Sequence, residues 1–161
     1  MSNEDLLTNF TFDELTIGQS ATFTKACTEE TIKTFAIASG DNNPVHLDEE
    51  FASQTQFGGR IAHGLWTGSL ISAAVATRLP GPGSIYLGQS LKFRRPVKIG
   101  DELTVTLTIE SKKEKNHSVE ISCDVKNQTG KSVVTGTADI MAPTEKVSVP
   151  NITLPSVSFD D

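Results

Sequence analysis

Asp41 and His46 lie five residues apart in the segment ASGDNNPVHLD, residues 38–48. A carboxylate and an imidazole held at a constant distance can bind one water molecule between them. Histidine has a reference pKa of about 6.5, so its imidazole can take up or release a proton near neutral pH. Pro44 restricts the backbone between the two side chains. These residues are therefore typical of an acid/base pair that activates water.

Two other interpretations stay open from the residues alone. In the first, the segment is a capped loop, in which Gly40 ends a helix and Asp41 and Asn42 bond to nearby backbone N–H groups. In the second, four side chains with oxygen or nitrogen donors bind a metal ion: Asp41, His46, Asp48 and His63. Their spacing matches no regular ligand motif and no cysteine accompanies them, so we expect no metal site.

The composition limits the classes of protein and partner. The 161 residues, 37% of them apolar, suit one globular domain with one core. The net charge of -6 and the scattered 14 lysines and arginines argue against a nucleic-acid partner, because phosphate backbones need a concentrated basic face. No stretch approaches the length of a membrane span, and MSNEDLLTNF at the start lacks the features of an export signal. We expect no membrane partner.

The cysteines indicate a reducing compartment. Cys27 and Cys123 are the only two, they are far apart in the sequence, and they form no CxxC motif. We expect both to be buried free thiols in a cytoplasmic protein.

Hydrophobic periodicity predicts the elements that position Asp41 and His46. Residues 20–27 alternate as in a strand, and Thr28 caps a helix that Gly40 ends. A short helical turn is expected at 49–55, and the apolar segment from 63 to 79 predicts a buried central helix. Four further strands are predicted from alternating Val, Ile, Thr and Leu, at residues 84–95, 101–113, 117–127 and 132–142.

These elements predict an α+β fold in which an antiparallel sheet of about five strands wraps one long helix. We divide the chain into an N-terminal extension (1–14), a single domain (15–142) and a C-terminal tail (143–161). The tail contains three of the seven prolines, which interrupt strand pairing, so it is either disordered or an extended arm docked on the surface.

Three segments resemble one known family. FAIASGDNNPVHLDEEFA (35–52) resembles the signature of the MaoC-like (R)-specific enoyl-CoA hydratases, in which the aspartate, the Asn-Pro pair and the histidine are diagnostic. RIAHGLWTGSLISA (60–73) is similar to the family's His-Gly helix entry. LPGPGSIYLGQSLKFRRPVKIGDELTV (79–105) resembles the polyhydroxyalkanoate-linked members, and the similarity covers residues 15–142.

The resemblance implies a hot-dog fold, a homodimer and the reversible addition of water to trans-2-enoyl-CoA, which yields (R)-3-hydroxyacyl-CoA. It implies no metal or redox cofactor, since CoA is part of the substrate. Asp41 and His46 would together bind the catalytic water, the Gly64 N–H would stabilise the thioester oxyanion, and Ser72 would lie near the catalytic pair.

The physical chemistry of these positions agrees with the implied roles. Gly64 begins the central helix, where N–H groups lack acceptors, and it has no side chain to block a carbonyl. We expect His63 to be a structural or capping residue rather than a catalyst, and Asn43 to brace the loop or orient Asp41. A run of positive charges follows in the sequence, at Lys92, Arg94 and Arg95. Such a run is usually a solvated surface, but these side chains can also contact the phosphates of CoA.

Other functions remain as alternatives. A 3-hydroxyacyl-[acyl carrier protein] dehydratase and an acyl-CoA thioesterase share the fold, and a silent acyl-CoA-binding or scaffold protein belongs to a different class. Thioesterases do not require an Asn-Pro-x-His loop, and a silent protein would be expected to have lost Asp41, His46 or Gly64.

Overall fold

A five-stranded antiparallel sheet wraps around one helix in the structure, a computed structural model that describes residues 5–160. The strands are β2 (Ser20–Ala26), β3 (Ile85–Phe93), β4 (Glu102–Lys113), β5 (Ser118–Lys126) and β6 (Ser132–Met141). Their order in the sheet is β2-β4-β5-β6-β3. The wrapped helix is α4 (Gly64–Thr77). The predicted α+β architecture, its five strands and its central helix are therefore confirmed.

Alternation along the strands builds the core. In β4, Leu103, Val105, Leu107 and Ile109 are all fully buried, because every second side chain of a strand points to the same face. The residues between them, which include threonines, face outward. β5 repeats this pattern, and Cys123 on β5 is a buried free thiol, as is Cys27. The prediction that both cysteines are buried free thiols is confirmed.

Helix α4 packs only one of its faces against the sheet. Its buried residues recur at helical spacing: Trp66, Thr67, Leu70, Ile71, Ala74 and Val75. On the opposite face Leu65 is 63% exposed, and Ser69, Ser72 and Ala76 are also exposed. The expectation of a buried central helix therefore needs correction for a single chain, because residues of this second face are exposed.

Three shorter α-helices precede α4 within residues 5–160. Helix α1 (Glu29–Ser39) is capped by Thr28, whose side chain accepts from Thr31 N at 3.3 Å, and it ends at Gly40, which has a φ of 79°. A positive φ suits glycine, so both predicted ends are confirmed. Helix α3 (Glu49–Ser53) is the predicted turn. Helix α2 (Pro44–Leu47) was not predicted.

The chain ends pack against the same domain. Phe12, in the N-terminal extension, is 1% exposed and belongs to the core. Strand β1 (Leu6–Thr8) pairs with β7 (Ser148–Pro150), so this part of the tail is a docked arm. Beyond β7, Ile152 and Leu154 are exposed. None of the helices within residues 5–160 has the length and apolar character needed to cross a membrane.

Candidate active site

Asp41 lies in the turn that follows α1. One carboxylate oxygen, Oδ1, accepts from Asn43 N at 3.1 Å, and the Asp41 N–H donates to Ser39 Oγ at 3.2 Å. The other oxygen, Oδ2, lies 3.9 Å from His46 Nε2. The Asp41 side chain is about half exposed, whereas that of His46 is nearly buried. The carboxylate is therefore held by its own loop and remains open to solvent.

His46 lies on α2, the helix that the sequence did not reveal. Asn43 caps this helix by accepting from Val45 N at 3.1 Å, and Pro44 occupies the first helical position, where a missing N–H has no cost. Asn43 thus braces the loop, as expected. Because His46 lies on this short helix, its ring points inward to Ile61, in the segment that precedes α4.

The tautomer of His46 follows from its hydrogen bond. His46 Nδ1 lies 2.8 Å from the carbonyl oxygen of Ile61, and because a carbonyl only accepts, Nδ1 carries the proton. Nε2 therefore has a free lone pair and faces Asp41 Oδ2. Their separation of 3.9 Å is too long for a direct hydrogen bond, but one water molecule can contact both atoms.

His63 lies directly against this pair. Its Nε2 donates to the backbone oxygen of Asp41 at 3.0 Å, and its ring stacks on that of His46 with centroids 3.8 Å apart. Although His63 precedes α4, its side chain makes no capping hydrogen bond, so its role is structural and not capping. Burial lowers the pKa of His63 below the usual 6.5, and His46 lowers it further, while the contacts with Asp41 oppose this.

The same three side chains are the strongest candidate for a metal site. One potential ligand atom each of Asp41, His46 and His63 lies within 4.8 Å of the others, whereas Asp48 caps α3 through Phe51 N. A bound metal lies in the plane of an imidazole, about 2.0–2.1 Å from its nitrogen. The two rings are stacked with centroids 3.8 Å apart and only 27° between their planes, so their lone pairs lie in two separate, nearly parallel planes. This geometry does not fit one shared ion.

Gly64 lies between two cavities. One cavity, of about 300 Å³, is lined by His46, Gly64, Phe93 and nine other residues. The other, of about 470 Å³, is lined by Asp41, His63, Gly64 and Phe93 among others. Phe93 packs so closely on Gly64 that a Cβ there would lie 2.8 Å from its ring. As the first residue of α4, Gly64 has an N–H without an intrahelical acceptor. The site therefore offers a free donor beside the Asp–His pair.

The remaining predicted binding residues divide into two groups. Arg94 and Arg95 line the cavity that contains His46, and they are held by Thr135 Oγ1 at 3.1 Å and the Ser132 carbonyl at 2.6 Å. Lys92 is exposed and Ser72 lies eight residues beyond Gly64, about 12 Å along the helix axis. Neither of these two lines either cavity.

Arg60 is a site residue that sequence reasoning missed. Its side chain is 11% exposed, and its Nε donates to the His46 carbonyl at 2.7 Å. Its two terminal nitrogens form three hydrogen bonds with the Glu29 carboxylate at 2.9–3.0 Å. It thereby joins α1 to α2. In the sequence, Arg60 is a single arginine between two glycines and an apolar helix. This pattern is too common to predict that its side chain is buried between α1 and α2.

The architecture of α4 and its sheet is the hot-dog fold. The chain belongs to the MaoC-like domain family, whose model matches residues 13–131. An (R)-specific enoyl-CoA hydratase of Rhodospirillum rubrum is 43% identical over 145 residues, which is 89% of this chain and 98% of that protein.

Two solved structures are similar over most of the chain. An (R)-hydratase of Pseudomonas aeruginosa, PhaJ1, in its unliganded form has a TM-score of 0.92 and 52% identity, covering 96% of this chain and 99% of that one. An (R)-hydratase from Aeromonas caviae involved in PHA biosynthesis has a TM-score of 0.78 and 40% identity, covering 80% of this chain and 98% of that one.

We predict that Arg60→Ala lowers the free energy of unfolding by about 1–3 kcal/mol, chiefly because the His46 carbonyl loses its donor. The partly exposed Glu29 carboxylate regains water, so the ion pair itself adds little. Chemical denaturation measures the change. Lys33→Ala is the matched control, since Lys33 contacts the same carboxylate at 3.8 Å on the surface, and it should change stability by less than about 0.5 kcal/mol. Equal effects of the two variants would contradict a stabilising role for the hydrogen bond from Arg60 to the His46 carbonyl.

Proposed function

We propose that this protein is an (R)-specific enoyl-CoA hydratase, which adds water reversibly to trans-2-enoyl-CoA to give (R)-3-hydroxyacyl-CoA. The observation that carries the proposal is the 3.9 Å gap between His46 Nε2 and Asp41 Oδ2, next to the free N–H of Gly64. Relatives named as such hydratases match nearly the whole chain and support the assignment of the substrate.

Water is activated between the two side chains. His46 Nε2 takes a proton as the water oxygen bonds to C3 of the substrate, and Asp41 Oδ2 orients the water through its second hydrogen. The electron pair of the double bond moves towards the thioester carbonyl, and the proton then passes from the pair to C2. One water is consumed and no net proton is gained. Because both groups contact this one water, they act as one catalytic unit.

The negative charge that develops on the thioester oxygen needs a donor. The N–H of Gly64 points from the start of α4, where the helix dipole also favours an anion. Since glycine has no side chain, the carbonyl meets only the ring of Phe93, which is 55% exposed and therefore able to turn aside. Ser72 lies outside both cavities of the single chain, and its contact with substrate stays a prediction.

The CoA moiety is assigned to the cavity that Arg94 and Arg95 line, because guanidinium groups bind phosphate as paired donors. Asn43 acts through the loop geometry rather than on the substrate, and Lys92 contributes at most a distant charge.

The reaction needs no metal or redox cofactor, since proton transfer and one oxyanion donor supply its chemistry. Two buried free thiols, Cys27 and Cys123, suit the reducing cytoplasm as its location.

The direct test is an absorbance assay that follows loss of the enoyl-thioester chromophore, with chiral analysis of the product. Short-chain and medium-chain enoyl-CoA should be consumed and the product should have R configuration. The same acyl groups on acyl carrier protein provide the comparison: faster turnover of the carrier-protein thioesters would favour the dehydratase instead. No consumption of any enoyl-CoA would reject the proposed function.

We expect Asp41→Ala and His46→Ala each to lower kcat by at least about 10²-fold, with the double variant losing little more than either single variant. The cause is that both groups act on one water. The controls are Asp48→Asn and His117→Asn, an aspartate of the same segment and a histidine outside the site, and these should retain activity. Near wild-type turnover in both folded single variants would mean that the segment is only a capped loop.

Replacing Gly64 by proline should cost roughly 10² to 10³ in kcat, since it removes the N–H assigned to the oxyanion. Proline is tolerated at the first position of a helix. Gly64→Ala is the matched control, because it meets the same Phe93 ring but keeps the N–H, so it should lose less activity than the proline variant. If the proline variant has an unchanged circular dichroism spectrum and turns over normally, the carbonyl binds elsewhere.

The enzyme is expected to be a homodimer. Strand β3 ends the sheet, and its outer edge carries the exposed apolar residues Ile85, Tyr86 and Leu87, while α4 exposes Leu65. Such an edge is normally paired or covered. Light scattering should give twice the chain mass of 17.3 kDa. A single-chain mass at working concentration would reject the dimer. If the wild-type protein is a dimer, the Leu87→Lys variant should have a mass closer to that of the single chain.

A further inference from the structure

His63 contacts both members of the Asp–His pair, and the proposed mechanism gives it no step. It is 2% exposed, its Nε2 donates to the backbone oxygen of Asp41 at 3.0 Å, and its ring stacks on His46. On α1, the ring of Phe35 packs against it with centroids 5.0 Å apart. His63 also precedes Gly64 directly in the chain. One side chain therefore connects the carboxylate loop, the base and the oxyanion donor.

The hydrogen bond specifies the protonation state of His63. A carbonyl oxygen only accepts, so Nε2 must carry the proton. The other nitrogen, Nδ1, is buried and has no hydrogen-bond partner in the part of the chain that is described. A proton added to Nδ1 would lack an acceptor there, and it would create a cation stacked 3.8 Å from the His46 ring. Both effects disfavour the charged form.

We propose that His63 is a positioning residue that remains neutral, as the Nε2–H tautomer, and holds the Asp41 backbone and the His46 ring in the arrangement that binds the catalytic water. This inference rests on the proposed hydratase function. Because His63 is neutral, His46 can accept a proton from water without facing a second positive charge in contact with it. A cationic ring at the same place would oppose that transfer.

Few charged or titratable groups of residues 5–160 face His63. From the loop after α1 it faces Asp41, and from α2 it faces His46. Behind His46, Arg60 contacts the backbone and is neutralised by Glu29. Burial lowers the pKa of His63, with a further contribution from His46, and this agrees with the geometric argument. As the pH falls to the reference value of about 6.5, His63 should therefore remain mostly neutral.

The test is ¹⁵N NMR of the imidazole rings, which is practical because the chain has only three histidines. His63→Gln and His117→Asn assign the signals. We expect the Nε2–H tautomer for His63, the opposite Nδ1–H tautomer for His46, and a charged fraction of His63 at pH 6.5 that is below the roughly one half of a free imidazole. A cationic His63 at pH 7, or an Nδ1–H tautomer, would overturn the proposal. This readout needs no turnover, so it can fail or succeed independently of the hydratase assay.

Two variants then separate positioning from folding. His63→Gln keeps a donor for the Asp41 carbonyl but loses the stack, and His63→Phe keeps a ring against His46 but loses the donor. Each should lower kcat by about 10- to 10²-fold with KM within about threefold of wild type, because a small misplacement of reacting groups slows the chemical step. Unchanged kcat in both folded variants, or a loss confined to KM, would contradict the positioning role.

Discussion

The hydrogen bond from His46 Nδ1 to the carbonyl oxygen of Ile61 decides what the site can do, because it leaves Nε2 as the free nitrogen. Its acceptor is held in place by the strand-like segment before α4: Ala62 N donates to the Val97 carbonyl at 2.7 Å, and Ile61 forms an isolated bridge with Lys98. Arg60 binds the backbone of His46 from the same segment. Residues 60–63 thus contact His46 at three places: its backbone carbonyl, its Nδ1 atom and the face of its ring.

The core of the domain gives these contacts a rigid foundation. Helix α4 is anchored by residues such as Leu70 and Ile71 against the fully buried side of β4, so its N-terminus has a constant position relative to the sheet. Gly64 at that N-terminus lies beside the stacked histidines and the turn that carries Asp41. The chemistry is therefore assembled at the rim of the fold from three short segments, each of which ends or begins at a helix.

Most of the fold could be predicted because its determinants are local. Alternation in β4 and the Thr28 and Gly40 caps of α1 are properties of consecutive residues, and so is the Asp41–His46 spacing. Helix α2 escaped prediction because four residues are too few for a helical period, although Asn43 and Pro44 are typical of a helix start. Arg60 and the stacking of His63 depend on contacts across the chain, and single-sequence patterns carry no information about those. The sequence predicts that α4 is buried on every face, because the residues of its exposed face are also small or apolar.

The claim that one water is held between Asp41 and His46, and that the same pair returns the proton, has a stereochemical consequence. The hydroxyl group and the new C2 hydrogen must enter from the same face of the double bond. Hydration of trans-2-enoyl-CoA in D₂O, followed by NMR of the product after a single turnover, measures this directly. We expect an R-configured hydroxyl at C3 with deuterium added syn to it at C2. Anti addition, or deuterium distributed over both faces of C2 in that first turnover, would contradict it.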